Sequence, residues 1–237
     1  MPEVAPAATA SLDEPVRASL LGPHAHLAQG HGDALRYDPD VAPFLAQPRT
    51  AGEWDDVAVL VGESRAVVPA FSPLDPPDLA VGMVLPGVQM LGDAVPVRAD
   101  DDLVRLGPDD VPAIRALVAR TRPGPFGPRT IEMGTYLGVV AEGRLVAMAG
   151  ERLHPPGYTE ISAVCTDAAY RGRGLATRLV LALAVGVRAR GEVPFLHAGA
   201  DNTPAIRLYE QLGFRLRARP DFVALTVPGD VAARTSA

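Results

Sequence analysis

The sequence predicts an α+β protein, in which helices flank a mixed central sheet and a smaller N-terminal α+β subdomain packs on that sheet. Strand-like segments follow one another at residues 136–141, 145–151 and 161–166 with no helix between them, which favours antiparallel pairing. A helical pattern begins at Leu175 and precedes a further strand at 195–198. Because a helix crosses between these last two strands, we expect them to be parallel.

The chain divides into three predicted parts. Residues 1–15 are rich in alanine and proline, carry no early lysine or arginine, and are expected to form a flexible tail rather than a signal peptide. Residues 16–99 are too apolar to be a linker and are expected to form the N-terminal subdomain. The acidic run at 99–102 marks a boundary, so that residues 100–237 form the second domain.

The N-terminal subdomain is predicted to contain short strands and no catalytic constellation. Apolar and β-branched runs separated by glycine and proline favour strands at 57–61, 66–70, 79–85 and 88–91. Residues 62–64 suit a hairpin turn between the first two of these strands. We expect this subdomain to pack on the second domain.

The second domain is predicted to begin with a strand at 103–106 and a helix opened by Pro108 and Asp109, residue types that suit an exposed helix start. The proline-rich loop at 123–128 follows this helix. A later helix starts at Asn202, where a capping side chain stands just before a proline, and closing strands complete the chain.

Composition excludes several classes of protein. The net charge of −6 argues against a broad nucleic-acid-binding surface, and the apolar run at 179–187 is far too short to span a membrane. Cys165 is the one cysteine, which rules out an intrachain disulfide and a cysteine-rich metal site. His24, His26 and His31 lack metal-ligand spacing and are expected in a solvated loop. We therefore expect a cytoplasmic protein with no metal, nucleic-acid or membrane partner, and a homodimer is one candidate for its oligomeric state.

Residues 161–176 are the stretch on which the functional prediction depends. A β-branched, apolar strand ends at Asp167, and a turn that contains Gly172 and Gly174 leads into a helix with leucine at every fourth position. A helix start exposes backbone N–H groups and the positive end of the helix dipole, to which two arginines add charge. Together these features predict a site for a pyrophosphate.

The residues of this turn and their spacing exclude two common kinds of pyrophosphate site. A P-loop requires a lysine, and all 22 basic residues of this chain are arginine. A Rossmann fingerprint requires a third glycine where this chain has Thr177. The stretch instead resembles the acyl-coenzyme A site of the GNAT superfamily of N-acetyltransferases. One position departs from that family's signature, since Ala169 stands where an arginine or glutamine is usual and Arg171 follows two residues later.

The resemblance covers about residues 103–227 and continues at Asn202, Tyr209 and the Gly213-Phe214 pair. It implies a GNAT fold with acetyl-CoA as co-substrate, in which two strands separate and the pantetheine lies in the gap. The residues that it implies for coenzyme binding are Val164, Cys165, Thr166, Arg171, Gly172, Arg173, Gly174, Leu175, Ala176, Thr177 and Asn202.

The resemblance also implies catalytic roles. Tyr209 matches the tyrosine that protonates the leaving thiolate, and a core tyrosine is the alternative. Glu160 matches a glutamate base of the histone-acetylating branch, shares a face with Ser162 and Val164 by period two, and is expected to have a raised pKa if partly buried. A structural, hydrogen-bonded Glu160 is the alternative, and Glu132 and Glu151 are rival bases.

The sequence says less about the acceptor substrate than about the coenzyme. In the family, the loop that holds Phe126 and Arg129 borders the acceptor cleft, so both residues are candidates for substrate contact, and the N-terminal subdomain is expected to help line the pocket. The leading hypothesis is transfer of an acetyl group from acetyl-CoA to a primary amine of a small molecule or peptide. The alternatives are a non-catalytic acyl-CoA-binding sensor or partner module, and an interaction protein whose activity lies in the N-terminal half.

Overall fold

The structure is a computed structural model of the 237-residue chain, and it describes residues 6–77 and 79–228. The α-helices in that part are α1 (Pro15–Leu20), α2 (Glu53–Val61), α3 (Val111–Thr121), α4 (Leu175–Ala189) and α5 (Thr203–Gln211). The strands are β1 (Ala28–His31), β2 (Ala34–Tyr37), β3 (Arg65–Ala70), β4 (Ala80–Leu91), β5 (Val104–Leu106), β6 (Tyr136–Ala141), β7 (Arg144–Glu151), β8 (Tyr158–Thr166), β9 (Val193–Gly199), β10 (Arg215–Ala218) and β11 (Asp221–Thr226). None of the described helices is long and apolar enough to cross a membrane.

Most of these strands form one mixed sheet. Its order is β3-β11-β4-β9-β8-β7-β6-β5, and β10 pairs with the second half of β4. β8 and β9 are parallel, whereas the other neighbouring pairs are antiparallel. The predicted mixed central sheet is confirmed, and so is the antiparallel succession of β6, β7 and β8. β1 and β2 form a separate hairpin.

Helices α3 and α4 pack on the sheet through two separate core clusters. Leu175, Leu179 and Leu183 of α4 belong to one cluster, and Ile114 and Leu117 of α3 belong to the other. The residues of β7 after its first position are all buried, which is typical of a strand that is covered on both faces. The expected helix-flanked sheet is thus present, and it holds the cleft described below.

Residues 6–15 differ from the expected flexible tail, while residues 1–5 of that tail lie outside the described part of the chain. Pro6–Leu12 forms a 3-10 helix, and the side chain of Leu12 is fully buried. The carbonyl of Leu12 also accepts a hydrogen bond from Nε2 of Gln89 at 2.9 Å. A segment whose composition suggests disorder is therefore ordered by contacts that include a buried apolar side chain, a buried backbone hydrogen bond and the hydrogen bonds that Arg217 donates to Thr9 and Asp13.

The strand predicted at 57–61 is wrong, because these residues lie in α2. Trp54, Val57, Ala58 and Val61 recur at helical spacing, and all four are buried. Acidic residues in the first turn of α2 also favour a helix start. The β-branched valines suggested a strand, but the spacing of the whole apolar stripe determines the helix.

The strands predicted at 79–85 and 88–91 form one continuous strand, β4. The first half of β4 pairs with β11, and its second half pairs with β9. The N-terminal strands β3 and β4 therefore belong to the same sheet as the strands of the second domain. Hydrogen bonding of the sheet thus extends across the boundary expected at 99–100.

Candidate active site

The two parallel strands of the sheet separate after three residue pairs. Residues 158–160 of β8 pair with residues 193–195 of β9. Farther along, β8 pairs with β7 alone, and β9 pairs with β4. The gap opens into a cleft of about 660 Å³ that β8, β9 and the N-terminal ends of α4 and α5 enclose. A cleft of this volume is large enough for an extended cofactor.

The glycine-rich turn before α4 places unpaired N–H groups at one end of this cleft. Gly172 and Gly174 have φ angles of 75° and 73°, which residues with a Cβ rarely adopt. In the described part of the chain, no N–H of residues 172–177 donates to another backbone group. These donors and the helix dipole converge on one place, an arrangement that suits a pyrophosphate.

The two arginines of the turn have different surroundings. Arg171 lines the cleft, and its Nε donates to the carbonyl of Thr166 at 3.3 Å. The guanidinium of Arg173 lies over the ring of Tyr170, 4.8 Å from the ring centroid, and donates to the carbonyl of Ala169. Arg173 does not line the cleft, whereas the other residues predicted to bind the coenzyme do.

A β-bulge interrupts β8 beside the cleft. Ala163 has a φ of 53°, and the register of β8 against β7 shifts next to it. The extra residue reverses the alternation of side chains, so that Val164 packs with Ile161 in the α4 cluster while Ala163 and Cys165 pack in the α3 cluster. The prediction that Glu160 and Val164 share one face is therefore wrong, because a strict period of two does not continue through a bulge.

Tyr209 of α5 lies on the wall of the cleft. Its side chain is mostly buried and packs edge-on against Phe214, with 5.8 Å between the ring centroids. Burial, with a smaller contribution from Cys165, raises the pKa of the Tyr209 phenol to about 12. The hydroxyl therefore stays protonated at neutral pH and can act as a hydrogen-bond donor in the cleft.

Asn202 caps α5 at the same cleft. Its side-chain oxygen accepts a hydrogen bond from the backbone N–H of Ala205 at 3.3 Å. The amide nitrogen of Asn202 has no partner among the described residues. Asn202 therefore acts as a helix cap through its side-chain oxygen, and its amide nitrogen remains available to donate to a ligand in the cleft.

A second cavity, of about 460 Å³, adjoins the cleft. The residues that line both spaces are Pro123, Ser162, His197, Ala198 and Gly199. The N-terminal half supplies much of the second cavity through β3, β4 and Phe44. The two spaces thus meet where β8 and β9 separate, with the helix start on one side and the N-terminal half on the other.

Glu160 lines the second cavity rather than the cleft, and its side chain is 3% exposed. Its Oε1 accepts a hydrogen bond from Nδ1 of His197 at 3.0 Å, while its Oε2 has no partner in the described part of the chain. Burial raises the pKa of the Glu160 carboxyl, but His197, Arg152 and the backbone of Leu153 together lower this pKa by more. The net pKa lies below the ordinary value, so the predicted raised pKa is wrong.

A buried chain of hydrogen bonds orients His197. Nη1 of Arg217 donates to Oε1 of Gln89 at 2.7 Å, so the Gln89 side chain donates through its Nε2. This Nε2 atom of Gln89 lies 2.9 Å from the carbonyl oxygen of Leu12 and 3.1 Å from Nε2 of His197. Because Nε2 of His197 accepts, its Nδ1 carries the proton that it donates to Glu160. The chain therefore fixes the histidine tautomer and keeps Glu160 a carboxylate.

The two rival carboxylates lie outside both cavities. Glu151 is buried and bound by Arg190 at 2.8 Å and by the backbone N–H of Thr135 at 3.0 Å. Glu132 forms a bidentate pair with Arg129. Their oxygens are engaged by other protein groups, which leaves Glu160 as the one of the three candidate carboxylates that lines a cavity.

The structure does not bring Phe126 and Arg129 together with the other predicted site residues. Phe126 packs edge-on against Tyr136, with 5.5 Å between the ring centroids. Arg129 bridges Glu132 and Asp38. Neither side chain lines the cleft or the second cavity.

Three residues of the site were not identified from the sequence: Gln89, Arg152 and His197. Gln89 and His197 are polar residues within otherwise apolar strands, and such residues are a signal, because a buried polar group needs a partner. The signal does not say which residues become partners, since Gln89 and His197 lie 108 positions apart in the chain.

A sheet that opens between two parallel strands, with a helix start at one end of the gap, is the architecture of acyltransferases that bind acyl-coenzyme A. The family model for FR47-like proteins matches residues 136–223. A crystal structure of an acetyltransferase assigned to the GNAT family, from Novosphingobium aromaticivorans, is 42% identical, with a TM-score of 0.85 over 92% of this chain and 98% of that one. The chain belongs to the GNAT family of acetyltransferases, and the predicted family and fold are confirmed.

Other relatives match a shorter part of the chain or the fold alone. N-alpha-acetyltransferase RimI of Mycobacterium tuberculosis is 40% identical over 83 residues, which are 34% of this chain and 51% of RimI. Mycothiol acetyltransferase of Corynebacterium glutamicum is 47% identical over 62 residues, which are 26% of this chain and 21% of that enzyme. The chain thus spans about half or less of the length of these curated relatives. A GCN5-related N-acetyltransferase from Kribbella flavida shares the fold, with a TM-score of 0.60 and 17% identity over 91% of this chain and 96% of that one.

Proposed function

We propose that the protein transfers an acetyl group from acetyl-CoA to a primary amine of a small molecule or peptide. The observation that supports this most is the junction of two cavities at Ser162 and His197. One cavity has unpaired helix-start donors for a coenzyme, and the other has the unpaired carboxylate oxygen of Glu160 for an amine. The acetyltransferases among the relatives agree with this chemistry.

The residues of the cleft fit acetyl-CoA, which supplies the acetyl group as a thioester. The N–H groups of residues 172–177 would hold the pyrophosphate, and the β8 backbone at 164–166 would pair with the pantetheine, with help from Asn202. A backbone N–H of β8 near the bulge is a candidate donor to the thioester carbonyl. One such donor contributes on the order of 3 kcal/mol to lowering a barrier of this kind.

Glu160 is the proposed acceptor of the amine proton. A carboxylate with a lowered pKa binds an ammonium well but removes its proton poorly in the ground state. Oε2 of Glu160 therefore holds the amine, which first loses one proton to solvent to become the neutral nucleophile, and takes a second proton as the new C–N bond forms, when the nitrogen becomes much more acidic. His197 orients Glu160 through Oε1, so that the unpaired oxygen remains available for the amine.

Tyr209 is the proposed donor of the proton that the departing sulfur gains. A phenol with a pKa of about 12 is less acidic than a free thiol with a pKa of about 8.5, so proton transfer from Tyr209 is uphill even to the departed thiolate. We therefore infer that Tyr209 donates a hydrogen bond to the sulfur as charge develops there, and that transfer of its proton is completed together with reprotonation of the phenolate by solvent. Solvent restores the phenol proton and removes the proton held by Glu160, which balances the reaction.

The coenzyme site is tested with a pair of glycine variants matched for backbone strain. Gly174 and Gly143 have φ angles of 73° and 70°, and an added Cβ meets no atom within 4 Å at either position. Gly174→Glu places a carboxylate at the proposed pyrophosphate site, whereas Gly143→Glu places it in the β6–β7 turn. We expect Gly174→Glu to weaken acetyl-CoA binding by about 100-fold or more, because one lost charge-assisted contact and one added repulsion act together.

Calorimetric titration with acetyl-CoA measures this difference, and Gly143→Glu should bind as the wild type does. An equal loss in both variants would assign the effect to backbone strain and remove the pyrophosphate site from the proposal. Tight coenzyme binding without release of free thiol across a broad set of amines would instead favour the non-catalytic acyl-CoA-binding module.

A further inference from the structure

The second cavity has an apolar floor. The floor is one face of the sheet segment β3-β11-β4, to which Val67, Phe222, Met83 and Leu85 contribute, and Phe44 packs at its side. Met83 and Leu85 are 50% and 48% exposed, which is high for large apolar side chains. An apolar ligand group would cover them, and the cavity volume of about 460 Å³ suits a small molecule.

A negative group lies at the inner end of this cavity. Glu160 is 3% exposed, and its Oε2 has no hydrogen-bond partner in the described part of the chain. A buried carboxylate oxygen without a donor is unfavourable, so this atom is expected to meet a donor from a ligand. An ammonium group supplies such a donor and also opposite charge.

A positive group lines the same cavity. Arg152 is 7% exposed, its guanidinium lies 5.4 Å from the centroid of the Phe44 ring, and its Nη2 donates to the carbonyl of Pro125 at 3.2 Å. Among the described residues, no carboxylate lies within ion-pairing distance of this guanidinium, and its Nε and Nη1 have no acceptor. A buried guanidinium without an anion is unfavourable, and its planar fork matches a carboxylate.

The two charges lie at facing positions of neighbouring chain segments. The backbone N–H of Arg152 donates to the carbonyl of Glu160 at 2.9 Å, yet the two side chains do not form an ion pair. A ligand that carries an ammonium and a carboxylate on one carbon can satisfy both groups at once. A simple amine would leave Arg152 without an anion, and a simple acid would leave Oε2 of Glu160 without a donor.

We propose that the acceptor is a free apolar α-amino acid. Its amine binds Oε2 of Glu160, its carboxylate pairs with the guanidinium of Arg152 through N–H groups that have no acceptor in the described part of the chain, and its side chain lies on the floor formed by β3, β11 and β4. This assignment rests on the proposed acetyltransferase function and specifies its substrate class. A peptide N-terminus has the same amine but carries an amide in place of the carboxylate, so Arg152 selects against it.

The experiment compares acceptors that differ at the carboxylate alone. Leucine, phenylalanine and methionine are each assayed beside their amides, beside the amines that lack the carboxyl group, and beside dipeptides that begin with the same residue. Release of free thiol from acetyl-CoA by the full-length protein gives kcat/KM. We expect the free amino acids to exceed their amides by about 10- to 100-fold, the range for a hydrogen-bonded charge pair.

Two variants of Arg152 and one control test the origin of this preference. Arg152→Gln should remove the preference by lowering kcat/KM more for the amino acids than for the amides, because its effect on the pKa of Glu160 is common to all acceptors and only the amino acids also lose a charged partner. Arg152→Lys should restore part of the preference, because it keeps the charge without the planar fork. Arg115→Gln removes an exposed arginine on α3 and should change nothing. Thermal melts confirm that each variant is folded.

The outcomes separate this inference from the proposed function. Turnover of amides, simple amines or dipeptides at least as fast as the amino acids would overturn the inference and leave the acetyltransferase intact. An equal effect of Arg152→Gln on all acceptors would do the same. If no acceptor is acetylated, calorimetric titration of leucine and leucinamide into the coenzyme-bound protein decides the matter, because equal binding of the two overturns the inference even when the proposed chemistry has already failed.

Discussion

The proposed coenzyme side and the proposed acceptor side of the site are built in opposite ways. The proposed coenzyme side lies mostly in one continuous segment, from the bulge of β8 to the first turn of α4, which offers backbone N–H groups, and α5 adds Asn202 and Tyr209. The acceptor side gathers side chains from β3, β4, β9 and β11, which are far apart in the sequence. The backbone donors of the proposed coenzyme side can bind the same cofactor with little dependence on side-chain identity. Binding on the proposed acceptor side depends on each side chain that lines the cavity.

We expect the largest effect when the N-terminal half is removed. We predict that residues 100–237 alone do not fold cooperatively, because β4 lies between β9 and β11 and its Val88, Met90 and Leu91 are almost completely buried. Circular dichroism with a thermal melt measures this. Co-expression of residues 1–99 as a separate chain is the control and should restore a cooperative melt. A fragment that melts cooperatively by itself and binds acetyl-CoA would make the N-terminal half a separable domain.

A smaller effect is expected from one hydroxyl on the coenzyme side. Tyr209→Phe should lower kcat by about 100-fold or more, the range for loss of a general acid, and should leave coenzyme affinity within about threefold. Tyr170→Phe removes a second phenol that lines the same cleft and serves as the matched control. Steady-state kinetics and calorimetry measure the two quantities. A Tyr209→Phe enzyme with the kcat of the wild type would leave Tyr209 as a packing residue.

The smallest effect concerns acid sensitivity of the N-terminal half. His24 is buried, with Nδ1 2.8 Å from the hydroxyl of Tyr37 and Nε2 3.0 Å from the carbonyl of Met133. Burial, and then the neighbouring His154, lower the pKa of His24 from 6.5 to about 4. Below pH 6.5 the unfolded chain therefore binds a proton that the folded chain does not, and stability falls as the pH falls toward 4.

This loss should reach about 3 kcal/mol at most, since each pKa unit corresponds to about 1.4 kcal/mol. Urea unfolding between pH 7.5 and 4 measures it. His24→Gln should be less stable at neutral pH but should show a shallower decline, with the remaining slope due partly to His154, whose pKa is also lowered by burial. The same slope in both proteins would show that His24 does not cause the acid sensitivity.

The sequence was a good guide where local patterns decide the structure. The order of β6, β7, β8, α4 and β9 follows from strand runs, a glycine turn and a leucine repeat, and these elements carry the coenzyme cleft. The N-terminal half was predicted less well. The valines of α2 suggested a strand, and the isolated segments of β4 did not reveal one long strand that joins the two halves of the sheet.

The candidate site shows the same division. Most residues placed along the cleft come from one contiguous pattern, and Asn202 and Tyr209 come from α5. Arg173 was also placed there but stacks on Tyr170 instead. The environment of Glu160 could not be predicted, since its partner His197 is 37 positions away and reaches it across separated strands. His24 was expected in a solvated loop but is buried. The sequence did not indicate this burial, because the partner residue Met133 lies 109 positions away in the chain.

If the proposed roles hold, the hydrogen-bonded chain through Gln89 links substrate choice to proton transfer. Gln89 belongs to β4, and its contact with Nε2 of His197 favours the tautomer in which Nδ1 carries the proton that Glu160 accepts. Grafting a foreign N-terminal half onto this catalytic domain to obtain a new acceptor would therefore also reset the basicity of Glu160, unless the donor sequence keeps an amide at position 89. Under the proposed mechanism, specificity and reactivity in this chain are inherited as one unit.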